Sequence, residues 1–316
     1  MNNRARFLVA FVAALLLSGC TSAPQTRQLT ASPPASIHSY RLISGVPFYA
    51  QEQYQCGPAA LAMLLNHADV AVTPQELIDK VYVPERQGAF QVEMVAANRS
   101  YRRLALPIEP SLSSLLNWVD RGQPVLVLQN LGLSWYPKWH YAVVVGYDLK
   151  KKKIILNSGL TQYYTISMAL FERTWARSHY WGMVALQPGS LPLAENETTY
   201  FLAVADATTF IAAAEAQNAW LAGLQQWPTS KNLLMAYGNY LYGQNQFGAA
   251  ADIFKKVVAL YPDYAPGYNN LAATHISTGE FAKAIPLATK AIALDPANRA
   301  TYSQTLHEAR QKRQNF

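Results

Sequence analysis

The C-terminal third of the chain repeats itself with a period of 34 residues. Successive prolines are 34 residues apart, at Pro228, Pro262 and Pro296. The same shift carries Ala216 to Ala250 and Ala284, and Trp220 to Phe254 and Ala288. Small residues let two helices approach closely, and proline ends a helix. The period therefore restricts this all-α region, residues 199–316, to stacked helix pairs that bury their apolar faces against one another.

This pattern resembles the tetratricopeptide repeat, in which each unit is two antiparallel helices. The resemblance is strong for units that begin near Lys231 and Ala265, and weaker for one near Glu197. The polar residues 300–316 fit a capping helix. The resemblance implies a concave surface that holds a protein partner or a substrate.

The first twenty residues predict export. Two arginines precede the apolar run FLVAFVAALLL, which ends at Ser18, Gly19 and Cys20. The run is shorter than the ~20 residues that span a bilayer and has the layout of a signal peptide over residues 1–19. The ending LLSGC resembles the bacterial lipoprotein signal, which implies that Cys20 is acylated and anchors the chain to a membrane.

The residues after Cys20 predict a tether. Residues 20–37 are rich in Ser, Thr, Pro and Ala and contain few large apolar side chains, so we expect a lipidated, flexible and extended segment. Thr21 follows the cysteine, where Asp favours the inner membrane in such lipoproteins. The resemblance therefore implies an outer-membrane lipoprotein that faces the periplasm.

Composition excludes several classes of protein. With 316 residues, of which 51% are hydrophobic, the chain is long enough for about two folded domains and too apolar for disorder. Two cysteines exclude a scaffold held by disulfides. Loss of Arg4 and Arg6 with the signal peptide reduces the net charge from +7 to +5, because 24 basic residues then face 19 acidic ones. This mild charge is spread along the chain, so we expect no nucleic-acid partner.

Residues 38–188 predict an α+β domain. Helical patterns follow Gly57, Thr73, Ser111 and Ser167. Strand-like apolar runs are PVLVLQN, YAVVVGYD, IIL and WGMVALQP, and the lysine run 150–153 fits a hairpin turn. Helices followed by antiparallel strands are typical of α+β domains. Residues 189–198 are the expected linker to the repeats.

Cys56 is the candidate nucleophile. It begins a predicted helix and is followed by Gly57 and Pro58. The N–H groups and positive end of a helix stabilise a thiolate, so we expect a lowered pKa. The alternative is a buried, inert thiol, which is a common fate of free cysteine. Cys56 is flanked by Gln and Gly, and an unpaired thiol is a liability in an oxidising compartment, so we favour the nucleophile.

A cysteine nucleophile needs a base that a third group holds in place. His140 begins an apolar strand, where it can present a rigid imidazole to a helix N-terminus; the alternative is a surface histidine. Asn157 ends the next strand, and its side-chain carbonyl can accept from the imidazole; the alternative is a plain turn residue. Gln51 can fold back to complete an oxyanion hole with the Cys56 N–H, and Gln53 is the other candidate.

These residues resemble the papain-like peptidases that cut double-glycine leaders from exported bacteriocins. The resemblance rests on Gln51, the block CGPAALAM, His140 with its strand, and Asn157, and it covers roughly residues 45–187. It implies that Cys56 is the nucleophile, His140 the general base and acid, Asn157 the orienting group and Gln51 the oxyanion donor. Those peptidases are typically joined to a membrane-spanning exporter and usually have Asp in place of Asn157. The present sequence shows no GxxxxGK(S/T) loop, so we do not expect a double-glycine leader as substrate.

The expected function is hydrolysis of a peptide or amide bond through an acyl-thioester. The alternative is a non-catalytic, peptidase-like scaffold that binds protein partners, since fold does not guarantee activity. Amide transfer is a third outcome of the same chemistry. The sequence has no Cys/His set with zinc-ligand spacing and no nucleotide-type glycine loop, so we predict no cofactor. Trp135, Trp139, Trp175 and Trp181 are assigned to packing rather than to the site.

Overall fold

The structure is a computed structural model that describes residues 23–51, 55–86, 88–193 and 196–315. The chain divides into two compact units, one that ends at Gln187 and one that starts at Pro188. The signal peptide and the lipidated Cys20 predicted from sequence lie outside the described residues. Within the described ranges, no helix combines the length and the apolarity that crossing a membrane requires.

The first unit is built on an antiparallel sheet of seven strands. The strands are β1 (Tyr40–Leu42), β2 (Leu104–Pro107), β3 (Val125–Asn130), β4 (Trp139–Asp148), β5 (Lys153–Ser158), β6 (Thr161–Ser167) and β7 (Gly182–Leu186). Their order is β2-β7-β3-β4-β5-β6, and β1 pairs with the far end of β4. The central strands are Val- and Leu-rich, and all six residues of β3 are buried. This agrees with the continuous apolar runs expected for strands covered on both faces.

Six α-helices accompany this sheet in the part of the chain that the structure describes. They are α1 (Pro24–Ala31), α2 (Cys56–His67), α3 (Pro74–Val81), α4 (Gln91–Ser100), α5 (Leu112–Asp120) and α6 (Met168–Ala176). Side-chain caps fix several starts: Thr73 and Glu76 form a capping box, and Ser111 and Ser167 accept from backbone N–H groups. The predicted α+β class is confirmed.

Helix α1 corrects the expectation of an extended tether. The backbone N–H groups of Gln25 and Thr26 donate to the two carboxylate oxygens of Glu172, at 2.9 and 2.7 Å. Leu29 is buried at 6% exposure. A helix N-terminus has unsatisfied N–H groups, and a buried carboxylate satisfies two of them here. Residues 24–31 are therefore a docked helix.

Seven α-helices make up the second unit within residues 188–193 and 196–315. They are α7 (Glu197–Ala207), α8 (Ala213–Gln226), α9 (Lys231–Gly243), α10 (Phe247–Leu260), α11 (Ala265–Ser277), α12 (Phe281–Leu294) and α13 (Arg299–Gln314). First helices of successive pairs start 34 residues apart, and so do the second helices. Ala216, Ala250 and Ala284 are fully buried, as close helix packing requires. The predicted helical-repeat class is confirmed, and α7 already begins inside the expected linker 189–198.

Candidate active site

Cys56 lies at the mouth of α2. It is the first helical residue, Pro58 lies in the first turn, and the thiol is half-buried. Backbone N–H groups of Gly57 and of Tyr141 in β4 donate hydrogen bonds to the sulfur. The Tyr141 bond places the thiol against the backbone at the start of β4, where His140 is the preceding residue.

The neighbouring glycine serves packing. A Cβ on Gly57 would lie 2.8 Å from Cβ of Ala89 and 3.7 Å from the Tyr141 ring, and the Tyr141 hydroxyl donates to the Ala89 carbonyl at 3.2 Å. Gly57 therefore lets the start of α2 pack closely on the segment at Ala89, which the Tyr141 hydroxyl ties to β4.

The thiol is not activated in the way the sequence predicted. Burial raises the pKa of Cys56, and the hydrogen bonds from Tyr141 and Gly57 lower it by a smaller amount. The expectation of a lowered pKa is therefore wrong for the resting protein. The physical reason is that loss of solvent destabilises the thiolate more than the N–H groups around the sulfur stabilise it.

His140 is the second residue of β4, opposite Gln129 of β3 in the ladder. Its Nε2 lies 2.8 Å from Oγ of Ser158 at the end of β5. Burial, with a smaller contribution from the positive charge of Lys138, lowers the pKa of His140 to about 4. The imidazole is therefore neutral at pH 7, as is the thiol, whose pKa is raised.

The hydrogen bond to His140 that was expected from Asn157 is made by Ser158 instead. Asn157 is fully buried, and its Oδ1 accepts from the Tyr163 N–H at 3.2 Å. In the β4–β5 ladder Asn157 lies opposite Val143, three residues from His140. Because side chains alternate between the faces of a strand, Asn157 points away from the face of His140 and Ser158 points toward it. Sequence analysis missed Ser158, and the only signal for it was its place next to Asn157.

Gln51 joins the same cluster. It is 7% exposed; its Nε2 donates to the Tyr141 carbonyl at 3.2 Å and its Oε1 accepts from the Gly159 N–H at 2.9 Å. Both backbone groups of Tyr141 are thus engaged, the N–H by the thiol and the carbonyl by Gln51. A carboxamide has two N–H donors, and this bond uses one. Gln53 lies outside the described residues.

The four tryptophans divide into two pairs. Trp175 is fully buried, and the ring of Trp181 lies edge-on to that of Tyr141, with centroids 5.9 Å apart. Trp135 and Trp139 are instead 80% and 51% exposed. Within the described ranges, no three His, Cys, Asp or Glu side chains are grouped so as to hold a metal ion.

Comparison with known families matches both units. Residues 43–183 match the family model described as Peptidase_C39 like family, and residues 241–306 match the one described as Tetratricopeptide repeat. These two matches agree with the resemblances found in the sequence.

Individual relatives are distant or partial. The Hsp70-Hsp90 organizing protein of Triticum aestivum is 35% identical over 78 residues, which are 22% of this chain and 13% of that protein. This chain therefore spans about an eighth of that relative. A C39-like peptidase from Bacillus anthracis is 17% identical, with a TM-score of 0.41 over 47% of this chain and 98% of its own. The first TPR domain of human RPAP3 is 15% identical, with a TM-score of 0.36 over 39% and 96%.

Proposed function

We propose that this protein is a cysteine peptidase whose repeats bind a protein partner or substrate. The family-model matches, to the Peptidase_C39 like family over residues 43–183 and to the tetratricopeptide repeat over residues 241–306, support this proposal. The observation that supports it best is the convergence of three groups on the start of β4. The Cys56 thiol and the Gln51 amide hold the backbone of Tyr141, and His140 precedes it.

The first step is attack by the thiol on the scissile carbonyl. The Cys56 sulfur forms a bond to the carbonyl carbon while its proton passes to Nδ1 of His140. In the tautomer that this step requires, the Ser158 hydroxyl accepts from Nε2–H of His140, which keeps the proton off Nδ1 and the ring in place. Because the pair is neutral at rest, proton transfer accompanies bond formation instead of preceding it.

The negative charge then develops on the carbonyl oxygen. The Cys56 N–H and the second Nε2–H of Gln51 are the donors proposed for this oxyanion. The imidazolium of His140 returns its proton to the departing amine as the C–N bond breaks, which leaves a thioester on Cys56. Water, deprotonated by His140, attacks the thioester; the C–S bond breaks, and the acid and the free thiol are released.

The test is a search for new protein N-termini. The full chain is incubated with envelope proteins from cells that lack it, and new N-termini are labelled and identified by mass spectrometry. We expect a defined set of new termini with the wild type and none with Cys56→Ser. An identical set with Cys56→Ser would overturn the proposal.

One observation favours a second candidate, a non-catalytic scaffold. The raised pKa of Cys56 and the lowered pKa of His140 leave no thiolate–imidazolium pair at rest. A scaffold would yield no new termini with either protein and would keep its biological effect in the Cys56→Ala variant.

The location of the protein is also a proposal. The signal at residues 1–19 and the lipidation of Cys20 support a chain anchored in the cell envelope, in the outer membrane and facing the periplasm. Labelling with radioactive palmitate tests this directly, because Cys20→Ser should abolish incorporation.

A further inference from the structure

The connection from β3 to β4 is a rigid projection. Residues 131–138, which we term the finger, continue the two strands beyond the sheet. Leu131 N–H donates to the Lys138 carbonyl at 2.9 Å, and Leu133 and Tyr136 exchange both backbone hydrogen bonds, at 3.1 and 3.2 Å. The finger is therefore a short hairpin with Ser134 and Trp135 at its tip.

Polar contacts fix the base of the finger. Asn130, 2% exposed, accepts from the N–H groups of Gly132 and Lys138 at 2.9 Å each through its side chain. Arg177 donates to the carbonyls of Asn130 and Gly132 at 3.1 and 2.7 Å. A Cβ on Gly132 would collide with the Tyr136 carbonyl oxygen, so only glycine fits there.

This rigid hairpin presents apolar side chains to solvent. Exposed fractions are 80% for Trp135, 74% for Tyr136, 52% for Leu133, 51% for Trp139 and 46% for Leu131. Single exposed apolar residues are ordinary, but five within nine residues of the chain are a concentration of the kind found where a protein contacts a partner.

The N-terminal helix begins near the base of the finger. The Gln25 side chain in the first turn of α1 bonds to the Tyr180 hydroxyl. Tyr180 follows Arg177 by three residues, and Arg177 holds the finger. The turn 177–180 therefore touches both segments. Cys20 precedes Ala23 by three residues, so a lipid on Cys20 is attached within ~10 Å of the start of this docked region.

We propose that the finger inserts into the surface of the lipid bilayer that holds the Cys20 lipid. Its composition fits this surface: Trp135 and Tyr136 are the residue types that favour the membrane–water boundary, and Leu131 and Leu133 add apolar area. Lys138 extends its stem along the apolar surface and its ammonium toward anionic headgroups. The finger and the lipid on Cys20 together hold the first unit against the bilayer. His140, two residues after the finger, then lies close to the membrane surface. This inference rests on the proposed lipidation of Cys20 and does not require the proposed peptidase activity.

The test is quenching of tryptophan fluorescence by lipid. The full, lipidated chain is reconstituted into vesicles of phosphatidylethanolamine and phosphatidylglycerol with or without brominated acyl chains. Bromine quenches only tryptophans that reach the acyl region. We expect quenching with the wild type, loss of most of it with Trp135→Phe, and no change with Trp118→Phe, which removes a buried tryptophan of the same unit.

Two results would overturn the inference. In the first, brominated vesicles quench no tryptophan; in the second, Trp135→Phe leaves the quenching unchanged. Either result would favour a protein partner for the finger over the bilayer. Cys56→Ser is measured in parallel and should quench like the wild type. Failure of the peptidase proposal therefore leaves this result unaffected.

Discussion

At the N-terminus of α2, burial raises the pKa of the Cys56 thiol and hydrogen bonding lowers it, and burial has the larger effect. A cysteine at a helix start is commonly read as a ready thiolate, but position on a helix does not reveal how much solvent the fold removes. The same burial keeps His140 neutral. Both groups are therefore neutral at rest, so the proton has to move during attack rather than before it.

This protonation state predicts the pH dependence of alkylation. The rate at which iodoacetamide modifies Cys56 should rise with a midpoint above that of a free cysteine, because the pKa of the thiol is raised. Mass spectrometry of the Cys56 peptide measures the alkylation rate from pH 5 to 11. Limited steric access lowers this rate at every pH, so it does not move the pH at which the rate is half-maximal. N-acetylcysteine is the reference. A rate plateau below pH 7 would indicate a thiolate–imidazolium pair and contradict this account.

Replacement of the residue that holds His140 predicts a selective loss of activity. Ser158→Ala removes the acceptor for Nε2–H, so the ring loses its fixed tautomer, and we expect kcat/KM to fall by about 10- to 100-fold with little change in stability. Asn157→Ala is the matched control on the next residue. It removes the Oδ1 contact to Tyr163 and should lower the free energy of unfolding by about 1 kcal/mol with a smaller effect on kcat/KM. A larger loss of kcat/KM in Asn157→Ala than in Ser158→Ala would contradict this assignment and indicate that Asn157 orients His140.

The contrast between Asn157 and Ser158 shows where sequence reasoning reaches its limit. Residue types and spacing located the strand end that faces His140. Which of two adjacent polar residues faces the ring depends on the register of β5 against β4, and register is a property of the whole sheet.

At the scale of elements, strong local signals predicted structure correctly and weak ones did not. Thr73 with Glu76 marks a helix start, and the structure has a capping box there. Helix α4 lacks a side-chain cap, and strand β6 buries only Ile166, so neither has a distinct pattern in sequence. Helix α1 depends on Glu172, about 146 residues away, and no local rule could predict that contact.

The docking of α1 predicts a protease-sensitive variant. Glu172→Gln weakens two charge-assisted hydrogen bonds worth about 1.5–3 kcal/mol, so α1 should open more often. We expect trypsin to cut after the exposed Arg27 about 10- to 100-fold faster than in the wild type. Asp79→Asn, a matched change at an exposed site on α3, should leave this rate unchanged. Equal rates in wild type and Glu172→Gln would show that α1 is held by other contacts.

At the scale of the whole molecule, the two units differ in how far the sequence repeats itself. The 34-residue period was readable because each repeat packs mainly on its neighbours, so the constraint recurs locally along the chain. The first unit has no such recurrence; its site joins Gln51, Cys56, His140 and Ser158 from separate elements. This is why the repeat architecture followed from sequence more completely than the site did.

Separate cores predict separate responses to mutation. In α9, a Cβ on Gly238 would lie 2.5 Å from the Phe254 ring, so Gly238→Ala should destabilise the repeats by about 1–3 kcal/mol. Hydrogen exchange should accelerate in α9 and α10 while β3 and β4 stay protected. Gly243→Ala in the same helix meets nothing within 4 Å and serves as the control. Equal acceleration in β3 would show that the two units unfold together.

The central claim is that the sulfur of Cys56 and the imidazole of His140 act as one catalytic unit. The most direct measurement is kcat/KM, on a peptide spanning an identified cleavage site, for wild type, Cys56→Ala, His140→Ala and the double variant. Groups that act together are not additive, so each single variant should lose at least about 1,000-fold and the double variant should be no worse. A His140→Ala enzyme that keeps its activity, or losses that multiply in the double variant, would contradict the account.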